Sequence, residues 1–430
     1  MKILLYCLNY APELTGIGKY TAEQAEWLVA RGHEVHVVTA PPYYPAWHVG
    51  EGYRASRYSR EIRNGVTVLR APLWIPAQPS GLRRVVHLAS FAVSSIACLV
   101  TQLGWRPDVV FVVEPPLFCS PAALACARLT GARAWLHIHD YEIDAAFELG
   151  LLKGRLLRRM AEGFERWLLR RFDHVSSISN AMVALARRKG ASDDRLTMLP
   201  NWTDLGALMR HAEVDFRARL GIPADAVVAL YSGTIGAKQG IEILADVARQ
   251  LQARKDLHFI FCGTGSGAPA LHAACVGLER VHCLPLQPAS DFPALLNTAD
   301  IHLMPQRAGA ADLVLPSKMA AMLASGKPVV ATADANTELG KLVIGCGILV
   351  EPGDSAAMAD AITALADAPT HRHALGQAGR IWAETHLERE SVLLKFEETL
   401  LQLQASRLPG KGVEEKGVEE KGADIDYVGK

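Results

Sequence analysis

Leu313-Val314-Leu315-Pro316-Ser317-Lys318-Met319-Ala320-Ala321-Met322-Leu323-Ala324-Ser325-Gly326-Lys327-Pro328-Val329-Val330-Ala331-Thr332 reads as loop, short helix, turn and buried strand. Pro316 suits a first helical turn, where its missing N–H costs nothing and its φ is already set. The amides of Ser317 and Lys318 then have no partner inside the helix and point out of its N-terminus. Those donors, the positive end of the dipole and the Lys318 ammonium together favour an anion such as a diphosphate. Gly326 ends the helix, and residues 328–331 begin a strand short and apolar enough to be central in a parallel sheet. An ordinary αβ unit whose Ser only caps a helix has the same pattern, so the anion site needs support from the rest of the chain.

Working outward, 430 residues suffice for two or three domains with large cores. Half are hydrophobic and 21% are charged, as in a globular enzyme, and a formal net charge of zero gives no global sign of a nucleic-acid partner. Residues 1–200 hold 24 Lys+Arg against 17 Asp+Glu, so a basic first half faces an acidic second half. The eight cysteines form no C-x-x-C pair and mostly sit in apolar runs, which fits a reducing cytosol. Met1-Lys2-Ile3-Leu4-Leu5-Tyr6 enters a strand directly, without the layout of a signal peptide.

Strand-like runs at 3–8, 34–39, 66–70, 108–113, 134–139 and 174–178 alternate with helical or loop segments. A polar connector follows Pro200-Asn201-Trp202, and the alternation resumes at 227–232, 257–262, 280–284, 301–304, 328–332 and 347–350. This βαβ rhythm predicts two Rossmann-like, doubly wound parallel-sheet α/β domains of similar size. The expected divisions are 1–204, 205–386, an amphipathic last helix at 387–406, and a disordered tail at 407–430 carrying a repeated Lys-Gly-Val-Glu-Glu.

A ligand would lie at the carboxyl ends of the strands. Gly16-Ile17-Gly18 follows the first strand and permits close backbone approach, but Thr21 breaks G-x-G-x-x-G, which disfavours a nicotinamide-type site. His139 and Asp140 leave a strand at the mouth of the presumed cleft, with His137 deeper on the same face. In the second half, Ser232-Gly233-Thr234-Ile235-Gly236-Ala237-Lys238-Gln239-Gly240 opens a helix without the Gly-Lys-Ser/Thr of a P-loop. Cys262-Gly263-Thr264-Gly265-Ser266-Gly267 is a further glycine turn. Together with the 316–318 helix start, these loops point to a diphosphate-containing ligand.

In order and spacing these motifs resemble the GT-B-fold retaining glycosyltransferases of the family-4 type. The marks are Pro12-x-x-x-Gly16-x-Gly18, Arg31-Gly32-His33-Glu34-Val35, Arg106-Pro107-Asp108-Val109-Val110, His139-Asp140, Leu199-Pro200-Asn201, the 233–240 loop, Cys262-Gly263-Thr264-Gly265, Ala299-Asp300 and Ala324-Ser325-Gly326-Lys327-Pro328-Val329. The likeness covers about 1–405 and is greatest to enzymes of exopolysaccharide assembly related to colanic-acid biosynthesis, including fucosyltransferases. It implies a GT-B fold, a nucleoside-diphosphate sugar (GDP- or UDP-linked) in the second domain, a saccharide acceptor in the first, and a last helix crossing back to the first domain. It further implies His139, Asp140 and Lys238 near the chemistry. Gly16, Gly18, Gly233, Thr234, Gly236, Lys238, Gly263, Gly265, Ser317, Lys318 and Glu338 would bind the donor or its diphosphate. No cofactor or metal is expected, because lysines and amides would neutralise the leaving diphosphate and no Asp-x-Asp stands at a strand end of either half. The family's acidic pair falls at Leu313 and Ala321, with only Asp312 close, and the customary Arg of the 233–238 loop is also absent. A catalytically silent GT-B protein serving as a binding subunit is therefore the alternative reading, and an epimerase acting on the nucleotide sugar alone is a third.

Two segments raise the membrane. Residues 85–104 carry no Asp, Glu, Lys or Arg, yet His87, Gln102 and several hydroxyls favour a helix packed on a sheet over a span. Arg155, Arg158, Arg159, Arg166, Arg170 and Arg171 lie on a Leu- and Trp-bearing helix, which reads as a basic amphipathic contact with a membrane surface or as a solvated charged face. A lipid-linked acceptor would require the former, with the protein cytoplasmic and peripheral at the inner face of the cytoplasmic membrane.

Overall fold

A computed structural model describes residues 1–13, 16–77, 81–148, 154–208, 214–236, 240–265, 267–288, 290–307 and 316–406. The expected disordered tail at 407–430 lies outside the described residues. Eight strands form the first sheet: β1 (Lys2–Tyr6), β2 (Glu34–Thr39), β3 (Ser59–Arg63), β4 (Val66–Arg70), β5 (Val109–Glu114), β6 (Arg133–Ile138), β7 (His174–Ser177) and β8 (Leu196–Met198). Their order is β3-β4-β2-β1-β5-β6-β7-β8. All pairs are parallel except β3 with β4, a hairpin closed by Asn64-Gly65 with φ of 48° and 82°. Two successive positive φ values match a turn whose twist suits a hairpin.

The second sheet comprises β9 (Val227–Thr234), β10 (Leu257–Thr264), β11 (Val281–Leu284), β12 (Ile301–Met304), β13 (Val329–Thr332) and β14 (Gly347–Val350). Its order, β11-β10-β9-β12-β13-β14, is parallel throughout. Two α/β domains with sheets that reverse strand order place their crevices at the carboxyl ends of the strands.

Strand alternation divides the first core in two. Leu4, Tyr6, Val110 and Val112 face one helical layer, built from Gly81–Ser94, Ile96–Trp105, Ser120–Thr130, Arg155–Leu169 and Asn180–Arg188. Ile3, Leu5, Val109 and Phe111 face the other, where helix Arg389–Ala405 returns from the far end of the chain. Phe396 packs edge-on to Phe111 and tilted against Trp135, and Glu397 binds Arg31 at 2.9 Å and His33 at 2.8 Å.

The uncharged run at 85–104 forms two helices broken at Ser95, whose hydroxyl pairs with Tyr6 at 2.5 Å. Residues Gly81–Trp105 are long and apolar enough to cross a membrane. They lie on the sheet through Phe91, Cys98 and Leu99, while Leu82, Val86, Val93, Ile96 and Val100 are exposed.

Candidate functional site

On the second domain, β9 and β10 run in register as far as Gly233↔Gly263 and Thr234↔Thr264, and their glycine-rich ends then zip together. Ile235 donates to the Thr264 carbonyl at 2.9 Å, and Gly267 donates to the Ile235 carbonyl at 2.9 Å. A Cβ on Gly263 would stand 1.9 Å from the Gly233 oxygen, and one on Gly265 2.3 Å from the Ile235 oxygen. Both glycines, at φ of 159° and 148°, are therefore required by the contact between the two loops. Gly240, at φ 58°, closes against the backbone of Gln306 and Arg307 in the same way.

Helix Ser317–Ala324 starts beside these loops, with Pro316 as its N-cap. Its second residue, Lys318, reaches back so that Cδ lies 3.3 Å from where a Gly233 Cβ would be. The ammonium sits 4.3 Å from the Tyr231 ring centroid and has no hydrogen-bond partner among the described residues. Burial lowers its pKa to about 8. A half-buried cation set over a π-system and glycine backbone can attract an anion. Thr234 is exposed beside it and Gly236 half-buried, whereas Lys238 lies outside the described residues.

The first domain contributes a second set of strand ends. Gly16 enters helix Gly16–Ala30 at φ 61°, and a Cβ on Gly18 would meet the Glu13 carboxylate at 2.8 Å. Glu13 is buried and accepts from the amides of Tyr43 and Tyr44 at 2.9 Å each, and from Asn9 at 2.9 Å. Arg70, 1% exposed, donates to the carbonyls of Ala11 (2.6 Å) and Ala40 (2.8 Å) and to Glu61 (2.6 Å). These two charged groups fix the loops after β1 and β2. Neither stands out in the sequence, where Glu13 reads as a loop acid and Arg70 as a strand-end cation.

His139 follows β6, half-buried, its amide donating to the Glu114 carbonyl at 2.9 Å and its ring edge-on to His137 at 4.5 Å. Burial lowers its pKa to about 4, so at neutral pH it is an uncharged imidazole with one donor and one acceptor nitrogen. His137 contacts the Ser176 hydroxyl at 2.8 Å and stacks on Phe111, which gives it a packing role. Asp140 is exposed next to His139. Behind this strand end lies an acid cluster the sequence did not reveal. Glu114 is 1% exposed, its Oε1 without a partner among the described residues and its pKa raised well above normal by burial and by Glu142 and Glu165. Glu142 accepts the Leu117 amide and is pushed up to about 7, chiefly by burial. Lys189 joins the cluster, bridging Asp144 and Glu165 at 2.6 and 2.5 Å.

Glu338 opens helix Glu338–Cys346 behind the Thr337 cap, and its Oε1 accepts the amide of Ala181 from the first domain at 2.7 Å. Gly233, Gly263, Gly265 and Lys318 thus form one cluster. Gly16 and Gly18 belong to the other domain, and Glu338 joins the two. Backbone also crosses at 202–204 and 387–388, where Thr203 donates to the Leu387 carbonyl at 2.8 Å.

Helix Arg155–Leu169 exposes its arginines, with Arg158 paired to Glu162 at 2.8 Å, and equally exposes Leu156 (73%) and Met160 (64%). Arg170 and Arg171 follow it, also exposed.

Two doubly wound α/β domains, linked through Glu338 and the returning last helix, have the architecture of a GT-B glycosyltransferase. The chain belongs to the glycosyltransferases that join a Glycosyl transferase 4-like domain, matched at residues 15–202, to a Glycosyl transferases group 1 domain, matched at 226–368. It is 45% identical over 407 residues to the putative colanic acid biosynthesis glycosyl transferase WcaI of Escherichia coli K12, covering 92% of this chain and 98% of that one. Among solved structures, sucrose-phosphate synthase from Thermosynechococcus elongatus matches with a TM-score of 0.69 at 18% identity, over 94% of this chain and 99% of that one. Anabaena HepE in complex with UDP matches with a TM-score of 0.66 at 18% identity, over 94% of this chain and all of that one. These likenesses bear out the GT-B reading of the sequence.

Proposed function

We propose that the protein is a retaining, metal-independent hexosyltransferase of exopolysaccharide assembly, of the colanic-acid kind. It moves a sugar from a UDP- or GDP-linked donor to a saccharide acceptor carried on a lipid. The observation that carries this reading is the Lys318 ammonium, without a hydrogen-bond partner among the described residues and lodged against Tyr231 and Gly233 at the head of a helix. Further support comes from the relative WcaI and from HepE, which has been solved with UDP and with UDP-glucose.

As the bond from sugar C1 to the diphosphate breaks, negative charge grows on the leaving group. Lys318, Lys238 and the amides opening the Ser317 helix stabilise it where a divalent ion would otherwise serve. Uncharged His139 hydrogen-bonds the donor sugar without competing with the lysines for the phosphates, and Asp140 lies beside it. The protein works as a peripheral protein at the inner face of the cytoplasmic membrane, held by Arg155, Arg158, Arg159, Arg166, Arg170 and Arg171 with the exposed Leu156 and Met160.

Incubating the protein with UDP- and GDP-sugars in EDTA, with and without a lipid-linked saccharide, tests this reading. Acceptor-dependent transfer that preserves the anomeric configuration is expected. An inverted product or a strict metal requirement overturns the mechanism. Absence of turnover with every donor favours the silent binding subunit, which the Leu313 and Ala321 substitutions of the family's acidic pair motivate.

A further inference from the structure

At the amino ends of the first sheet's strands, away from the candidate site, helix Ser120–Thr130, the start of β6 and the segment after helix Arg155–Leu169 leave an open cavity of about 400 Å³. Its walls include Leu124, Ala127, Arg128, Arg133, Arg171 and Asp173. Three guanidinium groups share one carboxylate there. Arg133 pairs with Asp173 at 2.8 Å and donates to the Ser406 carbonyl at 2.7 Å, while its buried Nε has no partner among the described residues. Arg171 lies over the Trp167 ring at 4.6 Å, and Arg128 is exposed; neither is in an ion pair among the described residues. The cavity therefore carries two uncompensated positive charges above an apolar floor of Leu124 and Ala127.

Its surroundings select the ligand. Leu129, next in the chain to Arg128, is 74% exposed, and Trp167, whose ring Arg171 covers, is 43% exposed. Val93, Val100, Leu156 and Met160 are exposed elsewhere on the same helical layer, outside the cavity lining. Exposed apolar side chains next to the arginines of a cationic cavity match a molecule with a phosphate at one end and hydrocarbon at the other. A free anion would use the arginines and leave the apolar rim in water. Guanidinium groups also bind phosphate oxygens in pairs, which a diffuse basic surface does not do.

We infer that this cavity is a headgroup site for an anionic phospholipid of the bilayer, the phosphate held by Arg128 and Arg171 and the first acyl carbons resting on Leu124, Ala127 and Leu129. The inference rests on the membrane part of the proposed function and deepens it. The basic helix draws the protein to any anionic surface, whereas the cavity recognises one headgroup at a time and fixes which layer of the domain lies on the bilayer.

Flotation of the full chain with vesicles of phosphatidylcholine alone or mixed with phosphatidylglycerol tests it, with glycerol 1-phosphate as a soluble competitor. The double variant Arg128→Gln/Arg171→Gln is compared with Arg155→Gln/Arg159→Gln, which removes the same charge outside the cavity. The inference expects at least a tenfold loss of affinity for phosphatidylglycerol vesicles in the first pair, a clearly smaller loss in the second, and competition by glycerol 1-phosphate in the unaltered protein. Equal losses in the two pairs would leave only general electrostatics and overturn it. Glycerol 1-phosphate bound through Arg128 and Arg171 with vesicle affinity unchanged would also overturn it, in favour of a free phosphate. Single Arg128→Gln, at an exposed position in no ion pair, repeats the comparison if the double variant unfolds. Sugar transfer by the unaltered protein to a soluble acceptor, without vesicles, reports on the transferase reading separately.

Discussion

The Lys318 ammonium lies 4.3 Å from the centroid of the Tyr231 ring, with burial holding its pKa down at about 8. The unfolded chain keeps this lysine protonated to higher pH, so the free folded protein holds fewer protons between about 8 and about 10.4. Stability therefore rises with pH across that window, while attraction for a diphosphate falls. Nucleoside diphosphate binding should take up a proton near pH 8.5, measurable by calorimetry in buffers of different ionisation enthalpy. Lys318→Met should lose at least tenfold in UDP or GDP affinity, lose the proton uptake, and gain about 1–2 kcal/mol of stability at pH 7. Unchanged affinity in that variant would remove Lys318 from the diphosphate site.

Gly263 faces the Gly233 carbonyl with room for hydrogen alone, a Cβ there standing 1.9 Å from the oxygen. Gly263→Ala should cost roughly 2–4 kcal/mol by combining backbone strain with overpacking. Denaturant melts would show it, and a loss under 0.5 kcal/mol would mean that the two loops separate without cost.

Glu338 carries a hydrogen bond from one domain to the other, accepting the Ala181 amide at 2.7 Å. Glu338→Ala should enlarge the radius of gyration of the ligand-free protein in small-angle scattering and raise KM for the donor more than it lowers kcat. Glu338→Gln, whose amide oxygen can accept the same bond, should restore most of the compaction. If Glu338→Ala leaves the scattering profile unchanged, other contacts hold the domains together.

Glu142 is raised to about 7 in the folded state from its ordinary value of 4.5, chiefly by burial. The folded protein thus retains a proton that the unfolded chain releases, and the contribution to stability is lost as pH rises through about 7. A decline of about 1–2 kcal/mol between pH 4.5 and 7.5 is expected from this group. Glu142→Gln, which can still accept the Leu117 amide, should flatten that decline in denaturant titrations across the range.

The sheets were legible because parallel strands buried on both faces leave short β-rich runs, such as 109–113 and 227–232, between glycine- and proline-marked turns. The β3–β4 hairpin escaped, since Ser59-Arg60-Glu61-Ile62-Arg63 is polar and pairs on one side only. Its Asn64-Gly65 turn was the available signal. At the candidate site, Lys318 and the glycine loops could be read because helix starts and glycine-bearing strand ends have local patterns. Glu13, Arg70 and the Glu114–Glu142–Glu165 cluster could not. Each gains its environment from segments tens of residues away, and no local periodicity encodes the burial of a charge. The resemblance assigned Glu338 to the donor or its diphosphate, and nothing in the sequence marks its bond to the Ala181 amide, 157 positions away.

Helix Arg389–Ala405 sets a timetable for assembly. Phe111 and Trp135 leave the ribosome before the second domain does, yet the ring that covers them, Phe396, is made only after it. The amino-terminal lobe must wait through the synthesis of its neighbour with that face uncovered, in the care of chaperones or of the nascent chain itself. A premature stop anywhere before Phe396 would therefore spoil the lobe already made, along with the one left unfinished.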